Sequence, residues 1–316
     1  MMIASVESLS IPISMRDVTK CYRAGRGIEH VDLEVGDGEV FAFLGPNGAG
    51  KTTTIRVLLD LIRPDSGSVR LFGRDLRRHS VELRRRIGYL PGELSLYEQL
   101  TARELLTHFA HLRSGPAWPA IQTLTETFEL EVDRPIKNLS KGNRQKVGLV
   151  QAMMGDPALL ILDEPTAGLD PLVQIQVHSL IRAAVGEGRT VFLSSHVLSE
   201  VGQVADRVGI IRDGVIVAVK RVADLRKEAV HYIDVRFTGN VTPPELALLA
   251  ETTRLPSVND TVRLAIRGTL DPLLAVLAAH PVEDLTIREP DLEDIFYSFL
   301  SGQEQRPAEA VQSVGA

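Results

Sequence analysis

Nine consecutive residues, Gly45-Pro46-Asn47-Gly48-Ala49-Gly50-Lys51-Thr52-Thr53, carry the strongest chemical signal in the sequence. Gly45, Gly48 and Gly50 let the backbone curl until successive N–H groups face one anion. Lys51 adds a charge suited to the space between a β- and a γ-phosphate. The Thr52 hydroxyl is a hard ligand for Mg2+, and Thr53 can reach an α-phosphate. The spacing is that of a phosphate-binding loop, G-x-x-x-x-G-K-[ST], which is informative only between a strand and a helix. Both flanks are present. The apolar run Val40–Leu44 precedes the loop, and Ile55, Leu58, Leu59 and Ile62 share one face of a helix predicted over Lys51–Ile62. The positive end of that helix adds its dipole. These residues predict that the chain binds a nucleoside triphosphate.

A second group could act on the bound phosphates. Leu159-Leu160-Ile161-Leu162 run into Asp163-Glu164-Pro165, which reads as a central parallel strand ending in two carboxylates. At the carboxyl end of such a strand they point into the ligand crevice. Asp163 would hold Mg2+ through water, and Glu164 would orient or deprotonate an attacking water. A surface turn is the other reading of Asp-Glu-Pro, and the apolar run fits it less well. His196 follows a strand predicted over Thr190–Ser195. A lone histidine there is more often structural, but its place on the edge that carries Lys51 and Asp163 favours catalysis.

Two further signals are ambiguous by themselves. In Leu139-Ser140-Lys141-Gly142-Asn143, Ser140 is a good N-cap for a helix running to Met154, and Gly142 permits close backbone approach. Plain helix capping explains that stretch on local sequence alone. Tyr22, on a strand before the loop, could stack on an adenine ring, though aromatics are usually packing residues.

The elements needed to position these groups can be read in order. Strands are predicted over Ile11–Tyr22, Ile28–Val35, Val69–Phe72 and Ile87–Leu90, with a hairpin over Val208–Val219 turning at Asp213-Gly214. Thr101 and Glu104 form a capping box that opens a helix, and another helix spans Ala120–Phe128. Arg74, Arg77, Arg78 and Arg84 to Arg86 read as a solvated helix face in preference to a contact surface. The 316 residues suffice for about two domains. The net charge of −6 gives no reason to expect nucleic acid. Cys21 is the single cysteine, which excludes an internal disulfide and fits a reducing compartment. No apolar run is long enough for a membrane span, and the N-terminus lacks the features of a signal peptide.

With these pieces in order, about Ile11 to Val230 resembles the ATP-binding subunit of an ABC transporter. The implied fold is α/β: a P-loop NTPase core, an antiparallel β subdomain and a helical signature subdomain inserted at about 92–156. GPNGAGKTT resembles the Walker A loop, LLILDEP the Walker B strand with its catalytic glutamate, and LSKGN the signature. Ala167-Gly168-Leu169-Asp170 resembles the D-loop, His196 the switch histidine and Tyr22 the adenine-stacking aromatic. The resemblance implies ATP and Mg2+ as ligands and pairing with a second ATPase subunit. Each ATP would then lie between one copy's phosphate loop and Ser140 and Gly142 of the other, with Asp170 communicating between the sites. It also implies a separate membrane permease, a place on the cytoplasmic face of the cell membrane, and no nucleic acid partner.

Two positions depart from the family pattern. Where the loop after Ile87-Gly88-Tyr89-Leu90-Pro91 should carry a glutamine, this chain has Gly92, with Glu93 next; Glu93 is the expected substitute Mg2+ ligand. Lys141 and Asn143 replace the glycine and glutamine of the signature.

The ATPase domain is expected over 11–229, between a disordered residue 1–10 segment and an accessory domain over 230–300. That last domain reads β-α-β-β-α-β, an order that suits a small ferredoxin-like α+β sandwich. It ends in a helix bearing Leu292, Ile295, Phe296 and Phe299, followed by a disordered tail over 301–316. The extension resembles that of ATPases that power drug and antibiotic exporters with separately encoded permeases. A soluble ABC-type ATPase acting on ribosomes or DNA is the alternative. One phosphate loop instead of two, and no heptad run between Lys51 and Asp163, weigh against it.

Overall fold

Alternation in the first segments produces strands with one covered face. In the computed structural model, which describes residues 11–22, 26–112, 118–228, 230–238, 243–249, 252–258, 261–267 and 269–288, these are β1 (Ile13–Cys21) and β2 (Gly27–Val35). They pair antiparallel with Ile13 opposite Val35. Strand β3 (Val40–Leu44) differs, because all five of its residues are buried. A strand with no polar face needs cover on both sides, as the centre of a parallel sheet provides.

The phosphate-loop segment leads into α1 (Lys51–Leu58), which is shorter than predicted. A Schellman-type turn ends it. Leu61 N–H donates to Arg56 O at 2.9 Å and Asp60 N–H to Val57 O at 3.0 Å, with Asp60 in the left-handed region. Strands β4 (Ser66–Leu71) and β5 (Arg74–Asp75) then extend the first sheet to the order β2-β1-β4-β5. The arginine-rich helix α2 (Leu76–Arg85) shows Arg77, Arg78, Arg84 and Arg85 to solvent.

Strand β6 (Ile87–Leu90) precedes the helical region, α3 (Ala102–Leu112), α4 (Trp118–Thr127) and α5 (Lys141–Met153). The capping box at α3 forms as expected: Thr101 N–H donates to Glu104 Oε2 at 2.8 Å, and Glu104 N–H to Thr101 Oγ1 at 3.2 Å. Strand β7 (Leu159–Asp163), helix α6 (Pro171–Gly186), strand β8 (Thr190–Ser195), helix α7 (Leu198–Val204) and strands β9 (Arg207–Arg212) and β10 (Val215–Arg221) complete the core. The six-stranded sheet has the order β10-β9-β3-β8-β7-β6, and its β9, β3, β8, β7 and β6 ladders are parallel. Phe41 stacks on Phe192 at 5.9 Å across the β3–β8 ladder, fixing the two central strands against each other. This topology brings the carboxyl ends of β3, β7 and β8 to one edge, which is where the chemistry lies.

Contacts divide the chain into two units, Met1–Val219 and Lys220–Ala316. The second contains α8 (Val222–Glu228), β11 (Val230–Phe237), β12 (Thr252–Val258), β13 (Thr261–Arg267), α9 (Asp271–Ala278) and β14 (Val282–Arg288). Its sheet order is β12-β13-β11-β14, over a core that includes Ile233, Val235, Leu264, Ile266 and Leu273. The helix predicted over 244–250 is a 3-10 segment, Pro244–Leu248. Five residues are too few to sustain an α-helix, and the segment closes with Leu246 N–H donating to Pro243 O at 3.3 Å, a 3-10 turn. The segments expected to be disordered (1–10 and 301–316) and the closing helix with Leu292, Ile295, Phe296 and Phe299 lie outside the described residues.

Candidate functional site

The turn between β3 and α1 is tight because side chains are missing where backbones meet. A Cβ at Gly45 would stand 2.5 Å from Ile211 O. Gly50, which caps α1 with φ +111°, would bring a Cβ to 2.8 Å from Ile28 Cγ2. The loop is thereby pressed against β2 and β9, with its N–H groups at the helix N-terminus.

Around it lies a cavity of about 570 Å3. Its lining includes Tyr22, Pro46, Asn47, Gly48, Gly50, Lys51, Thr52, Thr53, Gly92, Glu93, Asp163 and Glu164, so most of the predicted nucleotide residues share one wall. Gly45 and Ala49 belong to the same loop, behind that lining. Lys51 is buried, and its ammonium donates to Gly45 O at 2.6 Å and lies 3.4 Å from Glu164 Oε1. Glu164 turns out of the β7 strand with φ +51°, and its Oε2 meets His196 Nδ1 at 2.8 Å. Glu164, His196 and Lys51 thus form one chain of contacts.

Asp163, 4% exposed, is fixed from two sides. Thr52 Oγ1 donates to its Oδ2 at 3.3 Å, and Ser194 Oγ to its Oδ1 at 2.5 Å. Glu164 N–H also donates to Ser194 Oγ at 3.1 Å. Ser194 was not among the predicted site residues. It stands opposite Asp163 in the β7–β8 register, and two serines ending an otherwise apolar strand were the available signal. Tyr89 and Arg56 also line the cavity; burial first, and then the Asp163 charge, push the Tyr89 hydroxyl above its ordinary pKa. A Cβ on Gly92 would stand 3.2 Å from Asp163 Oδ2, so glycine leaves space open beside the carboxylate. The donor set of hydroxyl and carboxylate oxygens suits Mg2+. Glu93 shares the cavity wall, but among the described residues no three acidic, His or Cys side chains are gathered closely enough to hold an ion alone.

The remaining predicted residues stand apart from this cavity. Ser140 caps α5, its Oγ accepting from Asn143 N–H at 3.2 Å. Asp170 caps α6, Oδ1 accepting from Val173 N–H at 3.1 Å. A Cβ at Gly142 would lie 3.7 Å from Leu169, and the Lys141 stem would lie 3.3 Å from a Cβ at Gly168. The signature and D-loop segments therefore form one surface, separate from the phosphate-loop wall.

The parallel sheet, the phosphate loop at its edge and the Asp163–Glu164 pair define a P-loop nucleoside triphosphatase. The ABC transporter family profile matches residues 28–167. The bacitracin transport ATP-binding protein BcrA of Bacillus licheniformis is 38% identical over 72% of this chain and 75% of its own length. The daunorubicin resistance ATP-binding protein DrrA3 of Streptomyces coeruleorubidus is 35% identical over 94% of this chain and 98% of its own. Among solved structures, an ATP-binding subunit of an ABC transporter superposes with a TM-score of 0.63 at 32% identity, covering 68% of this chain and 91% of that one. The chain belongs to the ABC transporter ATP-binding family, and it is an ATPase of that family. A nucleic-acid or ribosomal role is not favoured. Among the described residues no helix is long and apolar enough to cross a membrane.

Proposed function

We propose that this chain hydrolyses ATP between two copies of itself, or between itself and a related subunit, at the cytoplasmic face of a membrane. There it would power export of an antibiotic-like compound through a separate permease. The observation that carries the two-copy reading is the separation of the site within one chain. The phosphate loop and its carboxylates share a cavity that Ser140, Gly142 and Asp170 do not line. A second copy brings those groups to the γ-phosphate. The bacitracin and daunorubicin relatives support the export reading.

In this mechanism Tyr22, exposed on the cavity rim, stacks on the adenine. The backbone from Gly45 to Gly50, with Pro46, Asn47 and Ala49 setting its course, cradles the β- and γ-phosphates. Nucleotide phosphate draws Lys51 from Gly45 O. Thr52 and Asp163 would hold Mg2+, which when bound would supply positive charge against the phosphates. Ser194 keeps Asp163 in place. Glu164 orients the attacking water and accepts its proton, while His196 holds Glu164 and contacts the γ-phosphate. Ser140 and the α5 N-terminus close over that phosphate from the partner. Separation after hydrolysis resets the pair, so nucleotide state drives a two-state motion.

Glu93, on the lining of the same cavity, would serve as a further Mg2+ ligand. Glu93→Ala should weaken Mn2+ binding to the ATP-loaded chain, read by electron paramagnetic resonance, and raise the Mg2+ needed for turnover. Unchanged Mn2+ affinity and Mg2+ dependence would remove Glu93 from the site. The export reading predicts that the chain, expressed with the membrane protein that co-purifies with it in mild detergent, raises resistance of a sensitive host. The Glu164→Gln variant should not. Equal resistance from both variants, or sedimentation with ribosomes, contradicts it.

A further inference from the structure

Glu200 stands in the first turn of α7, four residues past His196, and no step above uses it. Its two carboxylate oxygens face different segments. Oε2 accepts a 2.5 Å hydrogen bond from Thr166 Oγ1, on the loop leaving the catalytic glutamate. Oε1 lies 3.4 Å from Gln174 Nε2, on the first turn of α6, which Asp170 caps. The same Gln174 amide reaches Leu169 O at 3.4 Å. One side chain thus joins the three segments that carry Glu164, Asp170 and His196.

The segments it joins are themselves tied short. Ala167 N–H donates to Glu164 O at 3.1 Å and Leu169 N–H to Thr166 O at 3.1 Å, so a shift at Thr166 is passed along to the D-loop. At the other end Val197 N–H donates to Ser195 Oγ at 3.0 Å, which fixes the entry to α7 beside His196. Thr166 is buried at 7% exposure, so its hydroxyl has little access to solvent as a substitute partner. The titratable neighbour that feels Glu200 is His178 on α6, whose pKa burial holds below its ordinary value against the pull of Glu200. The carboxylate is therefore met by a hydroxyl and an amide. Such bonds depend on direction and distance, which suits a mechanical tie better than a long-range attraction does.

We propose that Glu200 is a positioning residue that couples the switch histidine to the D-loop, so that contact of His196 with a γ-phosphate on one side alters how Asp170 meets the other copy. This rests on the two-copy reading and assigns that site a means of cooperation. The coupling is conveyed by a contiguous set of hydrogen bonds whose middle member is Glu200.

The test uses the full chain with Glu200→Ala, Glu200→Gln and Gln174→Ala. Glu200→Ala removes both acceptors; its kcat should fall about tenfold and its Hill coefficient for ATP should drop toward one. ATP affinity in the absence of turnover should stay within about twofold of the parent, since the tie lies outside the binding cavity. Glu200→Gln keeps an acceptor and should recover most of the rate. Gln174→Ala should act in the same direction more weakly, and it keeps the proposal testable if Glu200→Ala does not fold. In a Glu164→Gln background, ATP should slow amide exchange at both 195–197 and 167–170. With Glu200→Ala added, only the first protection should remain. Retention of both protections together with a parental Hill coefficient overturns the proposal. So does a rate loss that tracks loss of melting temperature or ATP affinity, which would mark a merely structural role. If the Glu164→Gln chain never pairs with ATP, it is the two-copy reading that fails; if it pairs and Glu200→Ala changes nothing, this inference alone fails.

Discussion

Around the phosphate loop, the polar side chains are held by partners from other segments: Lys51 by Glu164 (as well as by Gly45 O of its own loop), Asp163 by Thr52 and Ser194, Glu164 by His196. Around the signature the pattern is different. Ser140 and Asp170 spend their side-chain acceptors on the first turns of their own helices. The first region is built in advance, with Lys51 and Asp163 buried, whereas Ser140, Lys141 and Asp170 are exposed. A pre-formed region fixes reacting groups without reorganisation at the moment of reaction. An exposed one exchanges partners as a second surface arrives or leaves. On the proposed two-copy reading, one chain carries a rigid half-site and a surface that would become the other half on contact.

That contrast can be broken most severely at Glu164. Glu164→Gln keeps the shape of the side chain and removes the base, so turnover should fall by about 10²–10⁴-fold while ATP binding persists. A steady-state ATPase assay beside nucleotide titration checks this; weakened binding in the same proportion would move Glu164 from chemistry to binding. Ser194→Ala sharpens the claim of pre-formation. It leaves Asp163 Oδ1 and Glu164 N–H without the hydroxyl they share, and a loss of about tenfold in kcat is expected, with a higher Mg2+ requirement. A parental Mg2+ titration would show that Asp163 holds its place unaided.

The smallest effect belongs to the helical region that carries the signature. The Thr101 backbone N–H, and then its hydroxyl, hold the Glu104 carboxyl below its ordinary range. A carboxylate with a depressed folded-state pKa contributes stability above its unfolded-state pKa and loses it as pH falls through the folded value. Thr101→Ala should lower the melting temperature by a few degrees at neutral pH, leave ATP affinity unchanged, and differ less from the parent in acid. Thermal melts across that pH range measure it.

The legible parts of the chain were those where a local rule suffices. Unbroken apolar runs marked β3 and β7, because strands covered on both faces have no polar alternation to hide in. The loop Gly45–Thr53 and the Asp163–Glu164 pair, which contribute to one cavity, stood out because a phosphate-loop motif fixes residue types and spacing and a carboxylate pair follows an apolar strand. Ser194 was missed because its role depends on register with a neighbouring strand, a non-local fact. Glu200 was invisible for the same reason: its partners lie on α6 and on the loop after β7. The α1 boundary slipped since a buried Leu59 continues the apolar stripe past the turn that ends the helix. The helix expected at 244–250 failed because the segment spans only five residues, too few to hold an α-helix.

The account depends most on whether the exposed half-site of one copy completes the buried half-site of another. Sedimentation velocity of the Glu164→Gln chain with and without ATP, repeated after adding Ser140→Arg, tests this directly. ATP should shift the Glu164→Gln chain to twice the monomer mass, and Ser140→Arg should hold it at monomer mass with ATP still bound. A Glu164→Gln chain that saturates with ATP as a monomer, or one that pairs as readily with Arg at position 140, would contradict the account.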